Sequence, residues 1–426
     1  MLKNIKLKGY KSFKDVTIEL QRLTVMLGPN ASGKSNFLDA ISLFSKFISK
    51  KSVNEAFKEH RGFASESFYY GDIGLEGLLQ EESRKMSFEA IVEISENTKM
   101  EIDRIIEQKK ALNGAQSKKK KKWVPYLKYT IELEAFPQKN FLIQVRDERL
   151  EALNKNLTVT RSRDPFLSKF QRGNKEEVFS VRIEGQSHPK YYPLGLERTV
   201  ISEDFYEPYY RHIAAFKREV ENWMVFYLEP RKLMRRESPP QHTFEIGENG
   251  EQLACFLKTL HDEHPRSFET LVRNIKQILP SEPELRVELD KRKGIVEFLL
   301  NEMGIDYSSR LISEGTLRVI GLLAALHPKN PSTVIAYEEP ENGIHPVRIN
   351  QIADIIKGVS ENKQIIVTTH SPYFAEQFDY ENLFVSYKEG PSSGIKPIDK
   401  YYGPLFKRNV IETSLSDLML RGDFGG

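Results

Sequence analysis

The segment Gly28-Pro-Asn-Ala-Ser-Gly33-Lys34-Ser35 constrains this chain more than any other feature. It matches G-x-x-x-x-G-K-[ST] and lies between two readable elements. Leu23–Leu27 is a short apolar run that reads as a buried strand, and Phe37, Ile41, Phe44 and Ile48 recur at helical spacing. A strand that turns through glycines into a helix can direct successive backbone N–H groups onto phosphate oxygens. The helix N-terminus adds partial positive charge. In such a loop Lys34 reaches the outer phosphates and the Ser35 hydroxyl ligates Mg2+.

The remaining chain reads as an α/β protein. Ile5 and Leu7, then Val16, Ile18 and Leu20, alternate with polar residues as half-buried strands. Residues 51–84 read as loop and short helix. Ser87–Ile94 and Lys128–Leu133 alternate as antiparallel strands, and strand-like pieces continue through 141–184. Phe205, Tyr209, Ile213, Phe216 and Val220 predict an amphipathic helix. Leu253, Phe256, Leu257 and Leu260 predict a second, and Phe268, Leu271, Ile275 and Ile278 a third that Pro280 stops. The last third alternates helix and strand, which implies a mainly parallel sheet. We divide the chain into a first lobe over 1–200 with antiparallel strands, a helical lobe over 201–280 and a second lobe over 281–426.

Three further motifs carry chemistry. Val334-Ile-Ala-Tyr-Glu338-Glu339-Pro340 is an apolar strand ending in two acids. Ligands gather at the carboxyl ends of parallel strands, so Glu338 is placed to hold Mg2+ and Glu339 to orient or deprotonate an attacking water. Alternation along a strand would point the two acids apart. Thr368-Thr369-His370-Ser371-Pro372 puts a histidine directly after a strand, where it could bond a γ-phosphate. Ser313-Glu314-Gly315-Thr316 opens a helix. Ser313 is a natural N-cap, and the same turn could bind the γ-phosphate of a nucleotide held by another subunit.

In the order GPNASGKSN, SEGTLR, VIAYEEPENGIHP, TTHSP the chain resembles ABC-type ATPase heads of the SMC/RecF group. More narrowly it is similar to AAA_21-type ATPases of bacterial anti-phage and toxin-linked operons. The GYKSF opening and the ending SLSDLMLRGDFGG share that likeness. The resemblance implies an ABC-type P-loop head with ATP and Mg2+ as cofactors. It makes Gly28, Pro29, Asn30, Ala31, Ser32, Gly33, Lys34, Ser35 and the following Asn36 the Walker A site. Ser313 and Gly315 would be signature residues, Glu338 the Walker B acid, Glu339 the catalytic glutamate, Asn342–His345 the D-loop and His370 the switch histidine. Lys11, Ser12 and Phe13 would touch the base. A Glu at the Walker B position departs from the commoner Asp, and Gln80 is the nearest residue to a Q-loop glutamine. Such heads pair head-to-tail around ATP, so the resemblance implies an ATP-dependent dimer or higher oligomer.

Composition bounds the partners. With 63 Lys+Arg against 60 Asp+Glu, the formal charge is +3, so nucleic acid could be met only by a local patch. Lys118–Lys122 is such a run: a solvated loop tip on one reading, a phosphate-contact patch for DNA or RNA on the other, with Trp123 and Tyr126 able to stack. One cysteine, Cys255, excludes a Cys-based metal site or disulfide framework within one chain. No apolar run approaches membrane-span length and no secretory signal is evident, so a cytoplasmic protein without a membrane partner is expected. Only 56 residues follow His370, too few for an appended nuclease domain, so any nuclease or toxin activity is expected in a separate effector. The competing expectation is a RecF-like DNA-repair ATPase.

Overall fold

The computed structural model describes residues 1–112, 122–160, 164–173 and 176–402. Strands β1 (Leu2–Tyr10) and β2 (Phe13–Glu19) form a hairpin whose turn holds Lys11 at φ 44°. Then β3 (Leu23–Leu27) leads through the glycine loop into α1 (Lys34–Ser49), followed by α2 (Val53–Lys58) and α3 (Gly74–Gln80). The next elements are β4 (Arg84–Val92), α4 (Glu96–Leu112), β5 (Tyr126–Phe136), β6 (Leu142–Leu153), β7 (Leu167–Arg172), β8 (Glu176–Val181) and β9 (Lys190–Pro193). These strands join the opening hairpin in an eight-stranded antiparallel sheet, ordered β2-β1-β4-β5-β6-β7-β8-β9.

After α5 (Arg211–Glu221) come β10 (Trp223–Phe226), α6 (Leu253–Glu263) and α7 (Pro265–Ile278). A small antiparallel sheet of β11 (Glu284–Asp290), β12 (Ile295–Glu302) and β13 (Ile305–Ser308) precedes α8 (Glu314–Ala325). The last elements are β14 (Val334–Glu338), α9 (Ile349–Ser360), β15 (Gln364–Thr369), α10 (Pro372–Ala375), β16 (Leu383–Glu389), β17 (Ser392–Pro397) and α11 (Ile398–Tyr402). A six-stranded sheet orders β10-β14-β15-β3-β16-β17, parallel except for β17.

The parallel strands are buried on both faces, which is why they read as unbroken apolar runs. Met26, Ala336 and Ile366 face one core, shared with the antiparallel sheet, α1 and α5. Val25, Ile335, Tyr337, Ile365 and Val367 face the other, filled by α6 to α9. Helix α1 lies between the two sheets, and even its polar residues Asp39, Ser42, Ser45 and Lys46 are buried.

The segment 201–280 is shared between these layers instead of standing apart as a helical lobe. Helix α5 packs in the first core, α6 and α7 in the second, and β10 between them pairs with β14. Four residues are too short for a periodic signal, so β10 is invisible in the sequence. The periodicity from Phe205 also overstates α5, which begins at Arg211; Pro208 disfavours helix in the residue before it.

One buried acid in the first core gives the fold a pH dependence. Glu148 accepts from Val200 N (2.6 Å), Ile201 N (2.9 Å) and Tyr129 Oη (2.8 Å). Burial pushes its carboxyl up from 4.5 to about 7, against the pull of those donors. Between these values the folded chain keeps a proton that the unfolded chain has released. Its contribution therefore favours folding at the acid end and is lost as pH rises from 4.5 to about 7. Urea midpoints should fall across that window in the wild type, and Glu148→Gln should flatten the slope.

Candidate functional site

The strand order explains why distant motifs meet. β15 lies between β14 and β3, with Glu338 opposite Thr368 and Thr369 opposite Leu27. The carboxyl ends of three parallel strands therefore stand side by side. The Gly28 loop follows the first, Glu339 the second and His370 the third.

Within the loop, Asn30 and Ala31 are exposed at the tip, whereas Ser32, Gly33 and Lys34 are buried. Ala31 has φ 62° and Gly33 φ 113°. Gly28 is demanded by packing: a Cβ there would lie 2.3 Å from the carbonyl oxygen of Ser386 on β16. Backbone cannot yield as a side-chain tip can, so Gly28→Ala should cost about 1–3 kcal/mol, read from denaturant midpoints. The Lys34 ammonium folds back onto the carbonyls of Gly28 (2.7 Å) and Pro29 (2.8 Å). It makes no ion pair among the described residues, although Glu338, Glu339 and Glu341 act on it from a distance. Burial pulls its pKa down, against those three acids. A buried ammonium held only by carbonyls fits an arriving anion. Ser32 Oγ, buried without a hydrogen-bond partner among the described residues, points to the same need.

Ser35 Oγ donates to Glu338 Oε1. The two groups assigned to Mg2+ are therefore in contact, a hard oxygen pair suited to that ion. Glu339 differs from the expectation of simple alternation. It lies beyond the end of β14 at φ 51°, a region uncommon for a residue with a side chain. The backbone turn, not the strand's period, separates its carboxylate from that of Glu338. Glu339 Oε1 meets His370 Nδ1 at 2.8 Å, and Oε2 accepts from Asn342 Nδ2.

Ser313 caps α8, its Oγ accepting from Thr316 N at 3.1 Å, and is exposed. Gly315 lies against Gly343: a Cβ on Gly315 would come within 2.8 Å of Gly343 O, and one on Gly343 within 2.9 Å of Gly315 Cα. The Ser313 turn and the Asn342–His345 turn thus touch backbone to backbone. Gly315→Ala should therefore force the two turns apart.

The opening hairpin also reaches α1. Asn36 Nδ2 donates to Ser12 Oγ at 2.9 Å, and Phe13 is fully buried beside Gly33, so its ring is not presented for stacking. Gln80 ends α3, exposed, with its carbonyl accepting from Gln138. Lys118–Lys121 and the ending from Ser414 to Gly426 lie outside the described residues.

Sequence reasoning missed a charge cluster at the edge of the site. Asp39 accepts from Lys11 Nζ (2.6 Å), Arg61 Nε (3.0 Å) and Tyr227 Oη (2.7 Å). Glu338 also acts on the Arg61 guanidinium, which is about half exposed (54%). The available signal was one carboxylate in an otherwise apolar stretch, Phe37–Ile41. Glu341 was missed too. It is buried, accepts from Thr369 Oγ1, and burial raises its pKa.

This architecture is that of an α/β ATPase head. The chain aligns with a structure described as the SmcHead bound to the C-winged helix domain of ScpA, at 15% identity, covering 94% of this chain and 99% of that one, with a TM-score of 0.51. It aligns equally with the Smc head domain with an extended coiled coil bound to the C-terminal domain of ScpA from Pyrococcus furiosus (15% identity, 96% and 99% coverage, TM-score 0.52). At that identity the likeness speaks for the fold alone. Residues 23–376 match the AAA_21 family, described as "AAA domain, putative AbiEii toxin, Type IV TA system", and the chain belongs to that family. Comparison with curated proteins gave no match. No helix among the described residues is long and apolar enough to cross a membrane.

Proposed function

We propose that this chain binds Mg·ATP on the Gly28–Ser35 loop and hydrolyses it between two head-to-tail copies, and that this cycle controls a separate effector in bacterial anti-phage defence. The observation that carries the reading is the convergence of Lys34, the Ser35–Glu338 contact and the Glu339–His370 contact at one sheet edge. Lys34 exchanges its two carbonyl partners for phosphate oxygens. Ser35 and Glu338 would hold Mg2+, which supplies charge neutralisation to the phosphates. Glu339 takes a proton from water as the water oxygen bonds the γ-phosphorus and the bond to the β,γ-bridging oxygen breaks, giving ADP and phosphate. His370 fixes one oxygen of Glu339 and Asn342 the other, leaving the carboxylate oriented. Arg61 supplies a further cation at the pocket edge.

The exposed Ser313 turn supports dimerisation: Ser313 caps the N-terminus of α8 at the surface, and a second copy's nucleotide would compete for the hydroxyl now bonded to Thr316. Control of an effector rests on the family's toxin-linked description. In a fluorescent-ATP titration with magnesium, Lys34→Ala should bind at least about 100-fold more weakly than wild type. Equal affinity for the two proteins would end this reading.

A further inference from the structure

We propose that a cleft at the amino-terminal edge of the parallel sheet docks a peptide segment of a partner protein that combines acidic and apolar side chains. The cleft measures about 1220 Å³. Arg22 immediately precedes β3, Thr333 precedes β14 and Gln364 opens β15, and all three line it. The nucleotide loop and the paired acids follow the opposite ends of these strands. A five-residue strand separates the two sites by about 16 Å. An occupant of one therefore does not fill the other.

The lining carries an imbalance of charge. Arg22, Arg266, Lys329 and Lys363 all line the cleft, and none makes an ion pair among the described residues. The acids there are mostly engaged: Glu93 pairs with Lys3 at 2.8 Å, Glu96 with Lys99 at 2.7 Å, and Glu219 with the Met1 amine at 2.9 Å. Glu361 alone among the lining acids has no ion-pair partner among the described residues. Among the described residues the Lys363 ammonium donates only to the carbonyls of His327 (3.3 Å) and Asn330. Burial without a carboxylate lowers its pKa to about 8, and an incoming carboxylate would reverse that.

The floor decides the class of anion. Leu271, Leu323 and Leu326 are buried beneath the cations, and Ile355 and Val359 are half-buried on the wall. Apolar floor with cationic rim suits a peptide that places Leu- or Phe-like anchors inward and Asp or Glu outward. A nucleic-acid backbone offers phosphate but few apolar anchors for this floor.

The test uses the full chain and fluorescence anisotropy. Probes are a dye-labelled synthetic peptide of Glu and Leu, a Lys and Leu peptide of equal length, and a single-stranded oligonucleotide. The Glu/Leu peptide should bind saturably, and the Lys/Leu peptide should not. Reversing the exposed pair Arg266→Glu and Lys329→Glu should weaken binding at least about tenfold. Lys363→Met, which keeps the apolar stem, should also weaken it, and affinity should decline above pH 8. Lys34→Ala should leave peptide affinity unchanged, so a failure of the nucleotide reading would not disturb this result. No saturable Glu/Leu binding, binding indifferent to the double reversal, or tighter binding of the oligonucleotide would overturn the proposal.

Discussion

Glu339→Gln should lower ATP turnover by about 10²–10⁴-fold while leaving nucleotide affinity near the wild-type value. The substitution keeps the side-chain shape and can still meet Asn342 and His370, but an amide cannot take the water's proton. Binding groups on the Gly28–Ser35 loop are untouched, so affinity and turnover should separate. If ATP joins two copies and hydrolysis parts them, the same variant should also accumulate as an ATP-bound dimer in light scattering. Wild-type turnover in Glu339→Gln would remove Glu339 from the chemistry. A monomer with ATP bound would remove the head-to-tail arrangement and leave the pocket standing.

Asp39→Ala should cost about 3–5 kcal/mol of folding stability, measured from urea midpoints. The magnitude follows from what stays behind. The Lys11 ammonium is only 10% exposed and would lose its sole ion-pair partner among the described residues. Burial already depresses its pKa, with Asp39 opposing that shift. Tyr227 would lose the acceptor of its hydroxyl. Asp39→Asn, which keeps an acceptor oxygen, should cost less. Because Asp39 also holds Arg61, the Asn variant should bind ATP more weakly than its stability loss would explain. A cost below about 1 kcal/mol for Asp39→Ala would show that the three side chains are not held by this acid.

The parts legible in the sequence were those governed by local rules. The α1 helix and the apolar runs 333–337 and 364–368 carry their own periodicity and flanks, and they fold as helix and strands with ends shifted by one residue for the strands. Strand order is a non-local property, so the adjacency of β15 to β3 could be inferred only from likeness to a family. The conformation of Glu339 was misread because alternation holds within a strand, and Glu339 lies one residue beyond it. Asp39, Arg61, Lys11 and Tyr227 come from four separate segments, and no spacing rule joins them. The sheet of β11 to β13 was overlooked amid the charged stretch Glu284–Lys293.

The pairing of β3 with β15 and β16 joins residues more than three hundred positions apart. On the ribosome, the loop that begins at Gly28 is made more than three hundred residues ahead of its neighbours Glu338, Thr369 and Ser386. Contacts of such separation form slowly. A chain interrupted between these segments would lack the strands against which the Gly28 loop closes.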